Sequence, residues 1–291
     1  MTLNLVPSPA ATTSDPSASG RVLFGGATCF LLTYSPKFPQ MKTSTPNWLQ
    51  RLGNRSLDLL FPPSCLSCER ELEQSTEASP LCSDCYEQLT EPLGPVCPRC
   101  AARVPELTGS TWSCPRCEAD KVRFDATLSL GSYAGLLRDL VLRMKQDRSE
   151  RVGRMFARLI EERWGDELEA MEIDAVVPIP MDPWRRIVRR VNPPEVIARR
   201  IADTHGWRHL PRLLRRRRNM LPQHGLSRAG RFRNVQGGLS ISRGYHLRSP
   251  HILLVDDVLT TGATCSEAAR ELKKHGAERV TVLVVGRTLD D

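Results

Sequence analysis

The pattern of apolar and polar positions changes character near residue 120. Beyond that point, short apolar runs alternate with segments of helical period. Phe124–Tyr133 reads as a strand, and Gly135–Lys145 as a helix with Leu136, Leu137, Leu140, Val141 and Met144 at helical spacing. Residues 151–164 continue helical, and Asp174–Ile179 reads as a second strand running into the prolines of VVPIP. Asn192-Pro193 suits an N-cap followed by proline at the first helical position, opening a helix to His205 that Gly206 stops. Leu239 and Ile241 suit a short strand. Ile252–Val255 is a continuous apolar run of the kind buried in a parallel sheet. An amphipathic helix follows and stops at Gly276, and Arg279–Val285 supplies the last strand. This alternation predicts an α/β fold, an open and mostly parallel sheet with right-handed crossovers.

Before residue 120 the organising residue is cysteine. Eight of the ten cysteines form four C-x-x-C pairs: Cys65/Cys68, Cys82/Cys85, Cys97/Cys100 and Cys114/Cys117. The second two pairs repeat the first two at an offset of 32 residues. This is a duplicated unit with zinc-ribbon spacing. Four thiolates close a tetrahedral structural site, and each C-x-x-C turn aims two sulfurs at one metal. Disulfides would need an oxidising compartment, and no convincing export signal is present. A redox pair needs one C-x-x-C beside a βαβ unit, not four in register. Two structural zinc ions are therefore expected, with sequential pairing the simplest arrangement. A segment this short, residues 65–117, depends on metal for folding.

The chemistry of the second texture concentrates in HILLVDDVLTTGATCSEAARELKKHG, residues 251–276. The apolar strand ends in Asp256 and Asp257, then a small hydroxylic loop, Thr260-Thr261-Gly262-Ala263-Thr264, leads into a helix. Backbone N–H groups and the positive helix end attract a phosphate, and threonine hydroxyls add donors. Glycine permits close backbone approach. The two acids can accept hydrogen bonds from ribose hydroxyls. The segment thus reads as a holder for a sugar phosphate, where a bland reading would be an ordinary βα turn with solvated acids. Cys265, in the helix's first turn, reads as a small packing residue, the alternative being a thiol with a lowered pKa.

The chain has 291 residues and a formal net charge of +8. Fifteen arginines and two acids lie between Arg185 and Arg233, so the remainder is net negative. Such a block suggests an anionic partner: polyphosphate, nucleotide or nucleic acid. Two zinc ions on eight thiolates would lower the formal charge to +4. Apolar runs are too short to span a bilayer, and a cytoplasmic location is expected. Residues 1–45 read as a disordered or misassigned extension outside the folded domains, and residues 1–40 would precede the natural start if it is Met41, which opens a stretch (MKTSTPNWLQRL) suited to initiation.

The TTG-x-T segment after its two acids resembles the phosphoribosyl-pyrophosphate (PRPP) fingerprint of type I phosphoribosyltransferases. With the cysteine repeat ahead of it, the arrangement resembles the ComF family, also called GntX-like, in which a double zinc ribbon precedes a phosphoribosyltransferase domain. The resemblance spans about residues 57–288, from LDLLFPPSCLSC through FDATLSLGSYAGLLRDLVLRMK, AVVPIPMDPWRRIVRRVN and LPQHGLSRAGRFRNV to VLVVGRT. It implies a double zinc ribbon at 57–120 and a phosphoribosyltransferase-like domain at 122–291. It implies that Asp256 and Asp257 serve catalysis by gripping the ribose, and that Thr260, Thr261, Gly262, Ala263 and Thr264 cradle the 5′-phosphate. Arg185, Arg186, Arg189 and Arg190 would follow the pyrophosphate loop, and Gln223, Arg228, Arg231 and Asn234 would lie in a hood. Magnesium would come with PRPP, held by substrate oxygens and water. The family commonly reads R-G-F-N-Q where this chain has Arg190-Val191-Asn192-Pro193-Pro194, and has an aromatic residue where this chain has Gln146 after Met144-Lys145.

The implied function is a ComF-like protein that binds PRPP and transfers or recognises a phosphoribosyl group, linked to DNA uptake and natural competence. The alternative is a non-catalytic factor that uses the fold as a nucleotide or PRPP sensor and touches single-stranded DNA or competence proteins. A third reading is a zinc-stabilised scaffold with a vestigial site. Arg215–Arg218 reads as a solvated basic face, with a ligand grip as the alternative. Lys145 reads equally as a surface lysine or a phosphate contact. His224 reads as an ordinary loop histidine. Trp184 and Trp207 read as packing or cap residues, with base stacking as the alternative.

Overall fold

The computed structural model describes residues 63–72, 80–104, 114–120, 122–146, 148–217, 225–245, 247 and 250–289. The expectations for residues 1–45, Arg218, Gln223 and His224 lie outside these residues. The ribbon repeat is visible in the backbone. The bridge Ser64↔Glu71 recurs as Val96↔Arg103, and the turn bond Cys65 N→Arg70 O recurs as Cys97 N→Ala102 O. Each half then places its second cysteine pair at the start of a helix, α1 (Ser83–Thr90) or α2 (Pro115–Asp120).

Five parallel strands form the sheet: β1 (Ala126–Ser132), β2 (Ala175–Pro178), β3 (Arg208–His209), β6 (His251–Leu259) and β7 (Arg279–Arg287), in the order β1-β7-β6-β2-β3. A separate antiparallel pair joins β4 (Leu214–Arg216) to β5 (Leu239–Ile241). The helices of the sheet region are α3 (Gly135–Gln146), α4 (Arg151–Ala170), α5 (Pro183–Arg189), α6 (Pro193–His205), α7 (Arg228–Val235) and α8 (Ala263–Lys274).

Strand pleating sorts the core into two layers, because successive side chains leave opposite faces. Leu128, Leu130, Val176, Leu253, Val255, Leu283 and Val285 meet α3, α4 and α6 on one face. Ala175, Val177, Ile252, Leu254, Val280, Val282 and Val284 meet α8 on the other. The ribbon divides between them. Cys65, Cys85 and Leu89 pack in the first layer, and Cys97, Cys100 and Cys114 in the second. Ribbon and sheet lie within one compact unit, Gln50–Asp291.

The expected helix from Asn192-Pro193 to His205 is present, with Gly206 at φ 70° as its stop. Trp207 caps it by stacking on His205, ring centroids 4.1 Å apart. Three features depart from expectation. The strand expected to end at Val255 continues to Leu259, so both acids lie within β6 rather than after it. Past Val255, β6 keeps its β7 partner but loses β2, whose last pair is Pro178↔Val255, so among the described residues that edge has no strand partner. The run Arg215–Arg217 is not a uniform basic face, because β4 pleats it: Arg215 and Arg217 are exposed while Arg216 turns inward. Trp184 is not a packing residue; it is 71% exposed on α5, beside exposed Ile187 and Val188. Among the described residues, no helix is long and apolar enough to cross a membrane.

Candidate functional site

The eight repeat cysteines gather as sequential pairing requires. Cys65, Cys68, Cys82 and Cys85 form one group and Cys97, Cys100, Cys114 and Cys117 another, with all sulfurs of a group within 4.8 Å of one another. Neighbouring sulfurs stand 3.7 Å apart for Cys68–Cys82 and 3.8 Å for Cys97–Cys117 and Cys100–Cys114. A tetrahedron with Zn–S bonds of about 2.3 Å has edges of about 3.8 Å, so the donor sets fit zinc.

The second centre is a cavity of about 530 Å³ at the C-terminal ends of β2 and β6. It opens where β6 has lost its β2 partner, the place at which open α/β sheets bind ligands. Its walls carry Lys145, Arg189, Arg216, Asp182, Asp256 and Asp257. Thr260, Gly262, Ala263 and Thr264 also line it. Gly262 has φ 79° and is the N-cap of α8; a Cβ there would meet the Phe124 ring at 3.4 Å. Glycine is thus favoured by the left-handed backbone, while the ring, at an ordinary contact distance, packs against the turn. Thr261 does not line the cavity. Its Oγ1 accepts the Ala263 N–H at 3.3 Å and so caps the helix.

The two acids have different surroundings. Asp257 is partly exposed and pairs with Lys145, Nζ 3.0 Å from Oδ2. Burial, and then the neighbouring Asp257 charge, push the Asp256 carboxyl up to about 7. Its Oδ1 accepts the Asp257 N–H at 2.9 Å, and its Oδ2 faces the Cys265 thiol at 3.7 Å. Burial and Asp256 also push that thiol upward, so Cys265 is the packing residue expected and not an activated nucleophile.

The arginines after β2 divide. Arg189 lines the cavity, Arg186 pairs with Glu195 at 3.5 Å, and Arg190 is exposed with φ 63°. The backbone of Arg185 lies in α5. Asn192 sits behind them and donates from Nδ2 to Ile179 O at 3.3 Å, while Pro193 and Pro194 form apolar wall. The hood arginines lie away from the cavity lining. Arg228 forks onto Asp120 of the ribbon, Nε 2.7 Å from Oδ1, and Arg231 donates to Leu226 O at 3.2 Å. Asn234 lies in α7.

Sequence reading missed Asp182 and Arg287, and offered Arg216 as a ligand contact only as the alternative reading of the Arg215–Arg218 run. Asp182-Pro183 is a legible N-cap signal, and Asp182 indeed accepts the Trp184 N–H at 3.1 Å. Arg287 announced itself only as a charge closing an apolar strand.

Residues 56–118 match the double zinc ribbon domain and residues 231–288 the phosphoribosyl transferase domain. Competence protein F of Haemophilus influenzae is 26% identical over 228 residues, covering 77% of this chain and 96% of the relative. DNA utilization protein YhgH of Salmonella typhimurium is 28% identical over 236 residues, covering 79% of this chain and all of the relative. Transcriptional regulator GfcR of Methanosphaera stadtmanae is 43% identical over 60 residues, 20% of this chain and 30% of that protein.

Proposed function

We propose, for a chain that joins a double zinc ribbon to a phosphoribosyl transferase domain and has competence protein F among its homologues, that the cavity beside β6 binds PRPP. The observation that carries this reading is the meeting of three features in one cavity: the Thr260–Thr264 loop at a helix N-terminus, two carboxylates on β6, and three cationic side chains. The loop would hold the 5′-phosphate. Asp257 would accept from a ribose hydroxyl, with Asp256 behind it. Lys145, Arg189 and Arg216, which line the same cavity, would meet the pyrophosphate. Arg228 and Arg231 could join only if α7 moved, which would break the Arg228–Asp120 pair.

Magnesium fits as a companion of the ligand. Lys145 pairs with Asp257 and burial pushes the Asp256 carboxyl up to about 7, so these two acids are not a free carboxylate pair for a hard cation and substrate oxygens with water would supply most of its ligands. In phosphoribosyl transfer, pyrophosphate leaves as positive charge develops on the sugar, and positioning with charge neutralisation would carry the step. The alternative to transfer is recognition of PRPP or a nucleotide as a signal in DNA uptake. Exposed Trp184 and exposed Arg215 and Arg217 favour it, since stacking and phosphate contacts suit single strands. Thiolate-held zinc suits a cytoplasmic setting.

The test is calorimetric titration of the zinc-loaded protein with PRPP, with and without Mg²⁺, followed by pyrophosphate release against a panel of acceptors. Saturable, Mg²⁺-dependent heat is expected. Its absence removes the ligand, and binding without turnover favours the sensor.

A further inference from the structure

Arg287 ends β7, an otherwise mostly apolar strand, and is only 1% exposed. A guanidinium so deeply buried needs partners for its N–H groups. Nε donates to Cys100 O at 2.9 Å, and Nη1 donates to Leu259 O at 2.7 Å and to Thr260 O. One planar fork therefore spans from the second cysteine knuckle to the start of the phosphate loop. A filled four-thiolate zinc site carries a formal charge of −2, which favours a guanidinium beside it.

The same knuckle reaches the loop by two further routes. Arg99, between Cys97 and Cys100, donates to Phe124 O at 3.0 Å and Val122 O at 2.7 Å, and the Phe124 ring lies against Gly262. Just before it, Arg123 N donates to Ser266 Oγ at 3.1 Å. The first knuckle is anchored elsewhere. Arg143 of α3 donates to Leu66 O at 2.8 Å, and Tyr86 donates to Glu162 of α4 at 3.1 Å.

We propose that Arg287 is a positioning residue through which the second zinc site (Cys97, Cys100, Cys114, Cys117) sets the shape of the 259–262 loop, so that zinc at this site and a phosphorylated sugar in the cavity stabilise each other while the first zinc site takes no part. The ligand half of this coupling rests on the PRPP reading above; the loop half rests on the contacts alone. Coupling between binding sites is reciprocal, which makes it measurable from the metal's side.

Zinc is displaced from the full-length, zinc-loaded protein by an organomercurial, and its release is followed with a colorimetric indicator. Hydrogen exchange in peptides 80–90 and 97–104 assigns each release phase to its knuckle. PRPP with Mg²⁺ is expected to slow release from the second site by about fivefold or more, the lower end of typical coupling, and to leave the first unchanged. Arg287→Met abolishes that difference and Arg287→Lys restores part of it. Equal protection of both sites, or none in a protein that calorimetry shows to bind PRPP, overturns the proposal. Should PRPP not bind at all, the ligand reading fails by itself and exchange in the unliganded wild type decides the rest. Amides 259–264 then lose protection when the second zinc leaves and keep it when the first leaves. Unchanged exchange there on loss of the second zinc overturns the proposal, and this arm stands even if Arg287→Met does not fold.

Discussion

Lys145 Nζ lies 3.0 Å from Asp257 Oδ2, so the last turn of α3 supplies the counter-ion for the acid on β6. The pair is about a quarter exposed, and its contribution to stability is therefore modest. Its larger consequence is for the ligand. Asp257→Asn should weaken PRPP binding about tenfold to a hundredfold, the range for losing a hydrogen bond to a charged group. Lys145→Met should weaken it about tenfold by removing one of three cations facing the cavity. Calorimetry, with thermal melts as controls, reads both. An unchanged Kd in Asp257→Asn would remove the ribose assignment.

Asp256 predicts a pH dependence. Its folded pKa, about 7, exceeds the ordinary 3.8, so between these values the folded state holds more protons than the unfolded. The group's stabilising contribution is complete below pH 3.8 and is lost as pH rises through 7. Asp256→Asn should consequently gain Tm relative to wild type above pH 7, with the difference shrinking toward pH 5. Melts across that range check the sign; a gain confined to low pH contradicts it.

Gly262→Ala places a β-carbon at φ 79° and 3.4 Å from the Phe124 ring. The backbone alone costs about 1–2 kcal/mol in the left-handed region. Denaturant melts should show a loss of about this size, and PRPP binding should fall further than stability does. Equal Kd for wild type and variant would show that the loop does not hold the ligand.

Two zinc ions per chain are expected by elemental analysis, falling to one in Cys65→Ser and to one in Cys97→Ser. Because metal binding is folding energy in so small a module, stripping both ions should melt the ribbon peptides in hydrogen exchange. A stoichiometry of one in the wild type would show that the two cysteine groups are not equivalent.

If the second reading is right, single-stranded DNA should quench Trp184 fluorescence and bind with steep salt dependence. Trp184→Ala should leave Tm unchanged, because the ring is 71% exposed, and weaken this binding, as should neutralising Arg215 and Arg217. Binding insensitive to all three changes would place any DNA contact elsewhere.

Much of this was legible in local sequence. The 32-residue offset foretold two identical turns, each closing on its own four sulfurs, because knuckle geometry depends on neighbours along the chain. The period of residues 135–145 and the Asn192-Pro193 signal gave two helices nearly to the residue. The end of β6 was misjudged because a charged pair normally marks a strand's limit. Here pairing with β7 alone carried the backbone on to Leu259.

What the sequence by itself determined is therefore the inventory: two thiolate clusters, an alternating α/β sheet, and a loop with the donors for a phosphate. Only the tertiary structure decided what faces what. It set Arg216 inward and Trp184 outward, paired Lys145 with Asp257, and drew Arg228 onto Asp120. It also joined Arg287 to Cys100 across 187 residues of chain. The physical reason is range. Periodicity and spacing record interactions within a turn or two of backbone, whereas a buried charge takes its partners from whichever segments the packed core brings alongside.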